Sequence, residues 1–272
     1  EPRVRVHLGV VPLGPRARPA AFVPLDGRQA RVGMPLSDLS RRDISRTYGG
    51  PDNKVVVVPI GVAVRGEPAM DPALRAAWLL SRGITEPFFL YVGNLQPRKN
   101  LPRLIKAFAL ARREAPSLHR HRLVVAGEHW AWGGARELLA ELAPPETVIF
   151  LGRVSDDERD TLFRETAAFV YPSVFEGFGL PPLEALAAGA PVIASRASAM
   201  PEVLGDAAVL VDPFDIPAIA AALVRVATDE SVRADLRRLG PARAARFTAQ
   251  VMGERALHAF QVALGPAGSA GG

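Results

Sequence analysis

The sequence predicts an α/β fold: a Rossmann-like domain with a parallel sheet flanked by helices. Three observations carry that expectation. From residue 88 onward, short β-rich runs alternate with helical patterns, as stacked βαβ units require. The helical stretches carry capping residues at their starts. Apolar residues make up 49% of the 272, enough for a sizeable core.

The strands are expected at "FFLYV" (88–92), "RLVVAG" (122–127), "TVIFLG" (147–152), "AAFVYP" (167–172), "PVIAS" (191–195) and "AVLVD" (208–212). Between them, Asn100 can cap "LPRLIKAFALARREA", and Ser155 can cap "DDERDTLFRET" with acids in the first turn. Pro181 stands where a first helical position prefers proline. "IPAIAAALVRVATD", "ESVRADLRRLGPARAARF" and "AQVMGERALHAFQVAL" are three more helical patterns, followed by a tail, "GPAGSAGG", of linker composition. The first 85 residues differ. Residues 1–35 are rich in Pro, Arg and Gly with at most a weak strand at "RVRVHLGVV", "SDLSRRDISRTYG" is a capped helix, and "KVVVVPIGV" is expected as a buried strand.

Composition excludes several chemistries. There is no cysteine, which removes disulfides and thiolate metal sites, and the five histidines form no HExxH-type pair. No apolar run approaches the roughly 18 residues of a membrane span. The net charge of +5 comes from arginines scattered along the chain, a pattern that favours anionic ligands only weakly and points to no nucleic-acid partner. No strand is followed by GxGxxG, which disfavours a dehydrogenase.

Ligands of open parallel sheets bind at the carboxyl ends of the strands, so the loops there are the candidate sites. In "YVGNLQPRKNL", Gly93 permits close backbone approach and Arg98 and Lys99 are adjacent cations ahead of a helix start. That set suits a diphosphate; the alternative is a solvated basic turn. In "FEGFGLPPLE", Gly177 and Gly179 let the main chain approach a ligand. Glu176 stands at the loop rim and Glu184 about one turn into the next helix. A carboxylate accepts two hydrogen bonds side by side, which matches a vicinal diol; the alternative is a helix cap and a helix-dipole acid. His129, Trp130 and Trp132 in "GEHWAWGG" follow a strand end and are expected in a packed surface turn, and His7 is treated as structural or solvent-exposed.

Together the two loops resemble the nucleotide-binding half of retaining glycosyltransferases of the GT-B fold, family 4, over roughly residues 36–263. Without a GxGxxG fingerprint, the resemblance rests on "PRKN" and on the two glutamates of an EX7E motif, Glu176 and Glu184. It implies that Arg98 and Lys99 bind the donor diphosphate, with Gly93 near the reaction centre. Glu176 would contact hydroxyls of the transferred sugar and Glu184 the ribose diol. The backbone of Gly177, Phe178, Gly179 and Leu180 would hold sugar and phosphate, and Arg153 and Val154 would line the base. Two cations would then stand in for a metal, since no Asp-x-Asp motif is present.

The resemblance further implies residues 1–85 as the remnant of an acceptor domain and linker, 86–240 as the donor domain, and 241–272 as a crossing helix and tail. The amino-terminal half would be largely missing and the apolar face of the crossing helix exposed. Similarity to mannosyltransferases of polysaccharide or lipid-linked glycan synthesis makes GDP-mannose the first expected donor and a UDP-sugar the second, with a glycan or lipid-linked acceptor and no further cofactor. A cytoplasmic protein in peripheral contact with the inner membrane face follows. Two alternatives stay open: a nucleotide-sugar 2-epimerase of the same fold, and a binding module inactive without its other half.

Overall fold

The computed structural model describes residues 32–48, 54–64, 67, 70–85, 87–127 and 147–264. The expected strand near residue 5, His7 and the "GEHWAWGG" turn lie outside these. The chain divides into two compact units, residues 62–246 and residues 1–61 with 247–272.

Among its described residues the larger unit holds six strands: β1 (Phe88–Val92), β2 (Arg122–Ala126), β3 (Val148–Gly152), β4 (Ala168–Tyr171), β5 (Val192–Ser195) and β6 (Val209–Val211). All pair in parallel, in the order β3-β2-β1-β4-β5-β6. β1, β4 and β5 are apolar runs buried on both faces, as a sheet covered by helices on each side demands. Each expected strand in this unit forms, its ends within one residue of the sequence pattern.

In chain order the helices are α1 (Asp38–Tyr48), α2 (Pro72–Ser81), α3 (Leu101–Glu114), α4 (Asp156–Glu165), α5 (Leu180–Ala187), α6 (Met200–Leu204), α7 (Ile216–Thr228), α8 (Glu230–Ala244) and α9 (Ala249–Leu264). α3 buries Leu101, Leu104, Ile105, Phe108 and Ala111, the i, i+3, i+4 stripe of a helix lying on a sheet, and packs beside α7. Ser155 closes a full capping box with Glu158 at the start of α4. Glu158 is more than an ordinary first-turn acid: it also accepts hydrogen bonds from Trp78 Nε1 at 2.7 Å and Arg82 at 3.0 Å, tying α4 to α2. The sequence reading passes over α2, although Asp71 and Pro72 are a cap and a first-turn proline.

Two start signals act differently from expectation. Asn100 precedes α3 but caps nothing, because it adopts a left-handed conformation (φ 64°) and turns its amide elsewhere. Gly179 is the residue preceding α5, which makes Leu180 the first helical position and Pro181 the second.

In the smaller unit, Ser37 caps α1 by accepting from the Ser40 N–H at 3.1 Å. The expected strand at "KVVVVPIGV" does not form: a single bridge joins Gly33 to Val55. Three backbone hydrogen bonds to residues 33–35 support the segment before Pro59, whose missing N–H cannot extend a ladder. On α9, Leu257, Phe260 and Leu264 are exposed apolar residues. No helix among the described residues is long and apolar enough to cross a membrane.

Candidate donor-binding site

The strand order reverses direction between β1 and β4, which opens a crevice at their carboxyl ends. The two loops singled out by the sequence, residues 93–100 and 172–179, leave the sheet on either side of that crevice.

After β1 the chain turns through Gly93 and a single 3-10 turn, Pro97–Lys99. Gly93 takes φ 156°, its N–H donating to the Ala126 carbonyl. The close approach at this point is to Gly127, where a Cβ would stand 1.9 Å from the Gly93 carbonyl oxygen. Asn100 closes the loop: its amide donates to the carbonyls of Pro172 (2.9 Å) and Pro213 (2.6 Å). One side chain thereby joins the exits of β1, β4 and β6.

After β4, Glu176 is 93% buried, its exposure being 7%. Its backbone is held from the far side: Ser198 Oγ accepts from the Glu176 N–H at 3.0 Å, and the Glu176 carbonyl accepts from Ala199 N–H at 3.3 Å. Ser198 reaches this position with φ 56°, a backbone conformation non-glycine residues seldom adopt.

The side chains converge on one oxygen. Glu176 Oε1 accepts from Lys99 Nζ at 2.5 Å, Ser173 Oγ at 2.8 Å, Arg98 Nη1 at 2.9 Å and Tyr171 Oη at 3.2 Å. Among the described residues, Oε2 of the same carboxylate has no hydrogen-bond partner. Arg98 is held further by Gln96 Oε1 and the Phe175 carbonyl, each at 3.0 Å. Lys99 is as buried as Glu176. Burial pushes the Lys99 ammonium below its ordinary pKa and Arg98 adds to this, while the Glu176 charge and hydrogen bond oppose them. A solvated basic turn is therefore not what this loop forms.

Glu184 stands apart from this cluster, on α5. Arg159 of α4 bridges to it at 3.4 Å and to Asp156 at 3.1 Å. Burial raises the Glu184 pKa; Arg159 works against that and Asp156 with it. Glu176 does not cap α5, as Gly179 occupies that position with φ 95° and a Cβ there would press on Met200. Pro181 and Pro182 carry no N–H and the Leu183 N–H donates to the Gly179 carbonyl, so these three positions offer an anion no backbone donor. Arg153 and Val154 lie in the loop after β3, Arg153 exposed, and no hydrogen bond links either to the Glu176 cluster.

Sequence reasoning missed Tyr91, Gly127, Tyr171, Ser173, Ser198 and Arg159. The tyrosines had a signal: each ends or nearly ends an apolar strand at the ligand-binding edge. Ser198 and Gly127 are also at strand exits, but only the fold shows what they approach.

These features define an α/β protein with buried charge set at the switch point of a doubly wound parallel sheet. A family model described as glycosyl transferases group 1 matches residues 81–243, and the chain belongs to that family. Among curated proteins it is similar to O-antigen chain mannosyltransferase B of Escherichia coli, at 31% identity over 241 residues, which are 86% of this chain and 61% of that protein. It is also similar to O-antigen chain mannosyltransferase RfbU of Salmonella typhimurium, at 35% over 130 residues, 48% of this chain and 35% of the other. The chain thus spans about three fifths of the first of these relatives. Among solved structures, Anabaena HepE in complex with UDP and glucose superposes with a TM-score of 0.76 at 20% identity, covering 88% of this chain and 65% of that one. A glycosyltransferase from Rickettsia africae gives 0.73 at 18%, with 86% and 64% covered. These likenesses show the GT-B fold.

Proposed function

We propose that the larger unit is the donor-binding part of a retaining glycosyltransferase of family 4. It would move a hexosyl group from a nucleoside-diphosphate sugar to a glycan or lipid-linked acceptor without a metal ion. The observation that carries this reading is the half-used carboxylate of Glu176: Oε1 anchored on Arg98 and Lys99, and Oε2 without a hydrogen-bond partner among the described residues. Two cations against one carboxylate leave a surplus positive charge beside an open acceptor. A phosphate suits the first and a sugar hydroxyl the second.

In the reaction, the bond between sugar and diphosphate breaks with its electrons passing to the phosphate. Positive charge grows on the anomeric carbon until the acceptor hydroxyl oxygen bonds to it, the hydroxyl proton passing to the departing phosphate. Arg98, Lys99 and the backbone donors at residues 177–180 would stabilise the leaving phosphate, and fixed groups do so without reorganising. Gly93 would lie near the reacting centre, Glu176 Oε2 would orient the sugar, Glu184 would hold the ribose diol, and Arg153 and Val154 would line the base. Mannose is the transferred group favoured by the named relatives, with GDP-mannose the first donor to test and a UDP-sugar the second. Acceptor choice is assigned to residues outside this unit.

Calorimetric titration with GDP, UDP and ADP, with Glu184→Ala as control, tests the reading. Saturable binding that favours one base and weakens in the variant is expected. A folded chain that binds none of the three would overturn it. Release of free nucleotide from the nucleotide sugar on adding acceptor then separates a transferase from an epimerase or a binding module.

A further inference from the structure

Tyr171, the last residue of β4, is fully buried. Its hydroxyl lies between the two charged groups of the site, in contact with Lys99 Nζ and 3.2 Å from Glu176 Oε1. The ring is fixed between Phe169 and Tyr91, stacked at 5.7 and 5.9 Å, and Lys99 Nζ also stands 4.9 Å from its centroid. Neighbouring Tyr91 turns its hydroxyl away, donating to the Asn94 carbonyl at 3.1 Å.

A phenol has one proton, so the bond directions follow. Lys99 donates to the phenol oxygen, and the phenol donates to Glu176 Oε1. The phenol stays neutral, because burial and then the Glu176 charge raise its pKa well above the ordinary value. Of the three N–H bonds on the Lys99 ammonium, Tyr171 and Glu176 take two. Among the described residues the third has no partner, which leaves it for a ligand oxygen.

We propose that Tyr171 is a positioning residue for Lys99, supplying the neutral acceptor that keeps this buried amine charged and fixes its remaining N–H for the donor phosphate. The phosphate role rests on the donor-site reading above. The groups facing Lys99 are Glu176 and Arg98 from the loops, Tyr171 from β4 and, behind it, Tyr91 from β1. Burial and, to a smaller extent, Arg98 favour losing the proton, and Glu176 alone opposes them among the charges. Deleting the phenol oxygen removes a bond to the charged form and tips that balance.

The chain has three lysines, Lys54, Lys99 and Lys106, and the other two are exposed. A chain labelled with [13Cε]lysine therefore reports Lys99 as one of three NMR signals, assigned with Lys99→Arg. Lys99 is expected to titrate below the ordinary lysine range. Tyr171→Phe, which keeps the stacked ring, should lower its midpoint by about a further pH unit and leave Lys54 and Lys106 in place, whereas Tyr91→Phe should leave all three. GDP and UDP affinity should fall about threefold in Tyr171→Phe midway between the two midpoints, approach a loss of about tenfold above both, and change little well below them. An unmoved Lys99 midpoint overturns the proposal, as does an affinity loss equal at every pH. Absence of nucleotide binding by the unaltered chain overturns the donor-site reading instead, and the NMR titration still decides whether Tyr171 governs Lys99.

Discussion

Lys99 Nζ lies 2.5 Å from Glu176 Oε1, each residue 7% exposed. Two opposite charges removed from water this far must be paired, since the desolvation penalty of either alone is several kcal/mol. The pair is also unequal in its remaining capacity. Among the described residues, Glu176 keeps an oxygen and Lys99 an N–H without a partner, so the contact that neutralises the pair leaves both able to bind.

Glu176→Gln separates these two roles. The carboxylate competes with a diphosphate for Arg98 and Lys99, and the amide does so without charge. Below the Lys99 midpoint, which losing the Glu176 charge lowers further, affinity for free GDP or UDP should therefore hold or rise by several-fold, while turnover of the nucleotide sugar falls by about a hundredfold or more. Calorimetry and a nucleotide-release assay give the two numbers; equal losses in both would remove Glu176 from the sugar.

Arg98→Ala and Lys99→Ala should each weaken nucleoside-diphosphate binding by about tenfold or more, the loss of one charge-assisted bond. They differ in stability. Arg98 is more than a third exposed at its side chain, so its removal should be mild, whereas Lys99→Ala leaves Glu176 buried beside a single cation and should lower the denaturation midpoint clearly. Lys99→Ala combined with Glu176→Gln should recover part of that stability and none of the binding. Unchanged affinity in both single variants would dismiss the phosphate role.

The six strands were legible because both local signals, apolar β-branched runs and capped helical stretches, agree with the sheet that buries them. Arg98, Lys99 and Glu176 were legible as residues, but their meeting was not: 77 residues separate Lys99 from Glu176 in the sequence, and only the parallel crossover brings them together. Tyr171 and Ser198 were illegible for a related reason. A tyrosine at the end of an apolar strand satisfies a core pattern equally well, and a serine with positive φ has no sequence mark. Asn100 shows the opposite error, a residue of capping type whose amide is taken by two distant carbonyls.

Gly127 gives a test of the sheet's edge geometry that needs no ligand. Alanine there would place a Cβ 1.9 Å from the Gly93 carbonyl oxygen, backbone that cannot swing aside, at φ 143°. Gly127→Ala should destabilise the larger unit by about 3 kcal/mol and weaken nucleotide binding by displacing Gly93. A chemical denaturation midpoint within error of the unaltered chain would refute this contact.

Glu184 sets stability against binding, and pH shows it. Its pKa is raised chiefly by burial, with Arg159 offsetting only part. A carboxyl whose folded pKa is raised contributes stability that is fully present below its unfolded value, near 4.5, and is lost as pH rises through the folded value. Once ionised above that folded value, Glu184 is a partly desolvated carboxylate held at a cost. Glu184→Gln removes the charge, so it should raise the melting temperature at pH 7 and lose that advantage below about pH 4. Binding should run the other way. A ribose diol donates to the ionised form, so nucleotide affinity should fall as pH drops through the raised pKa, and Glu184→Gln should be about tenfold weaker at pH 7 with that pH dependence gone. Thermal melts at pH 4 and 7 with parallel calorimetry check both arms; a variant that melts lower at pH 7 yet binds normally would place Glu184 in the fold and not at the ribose.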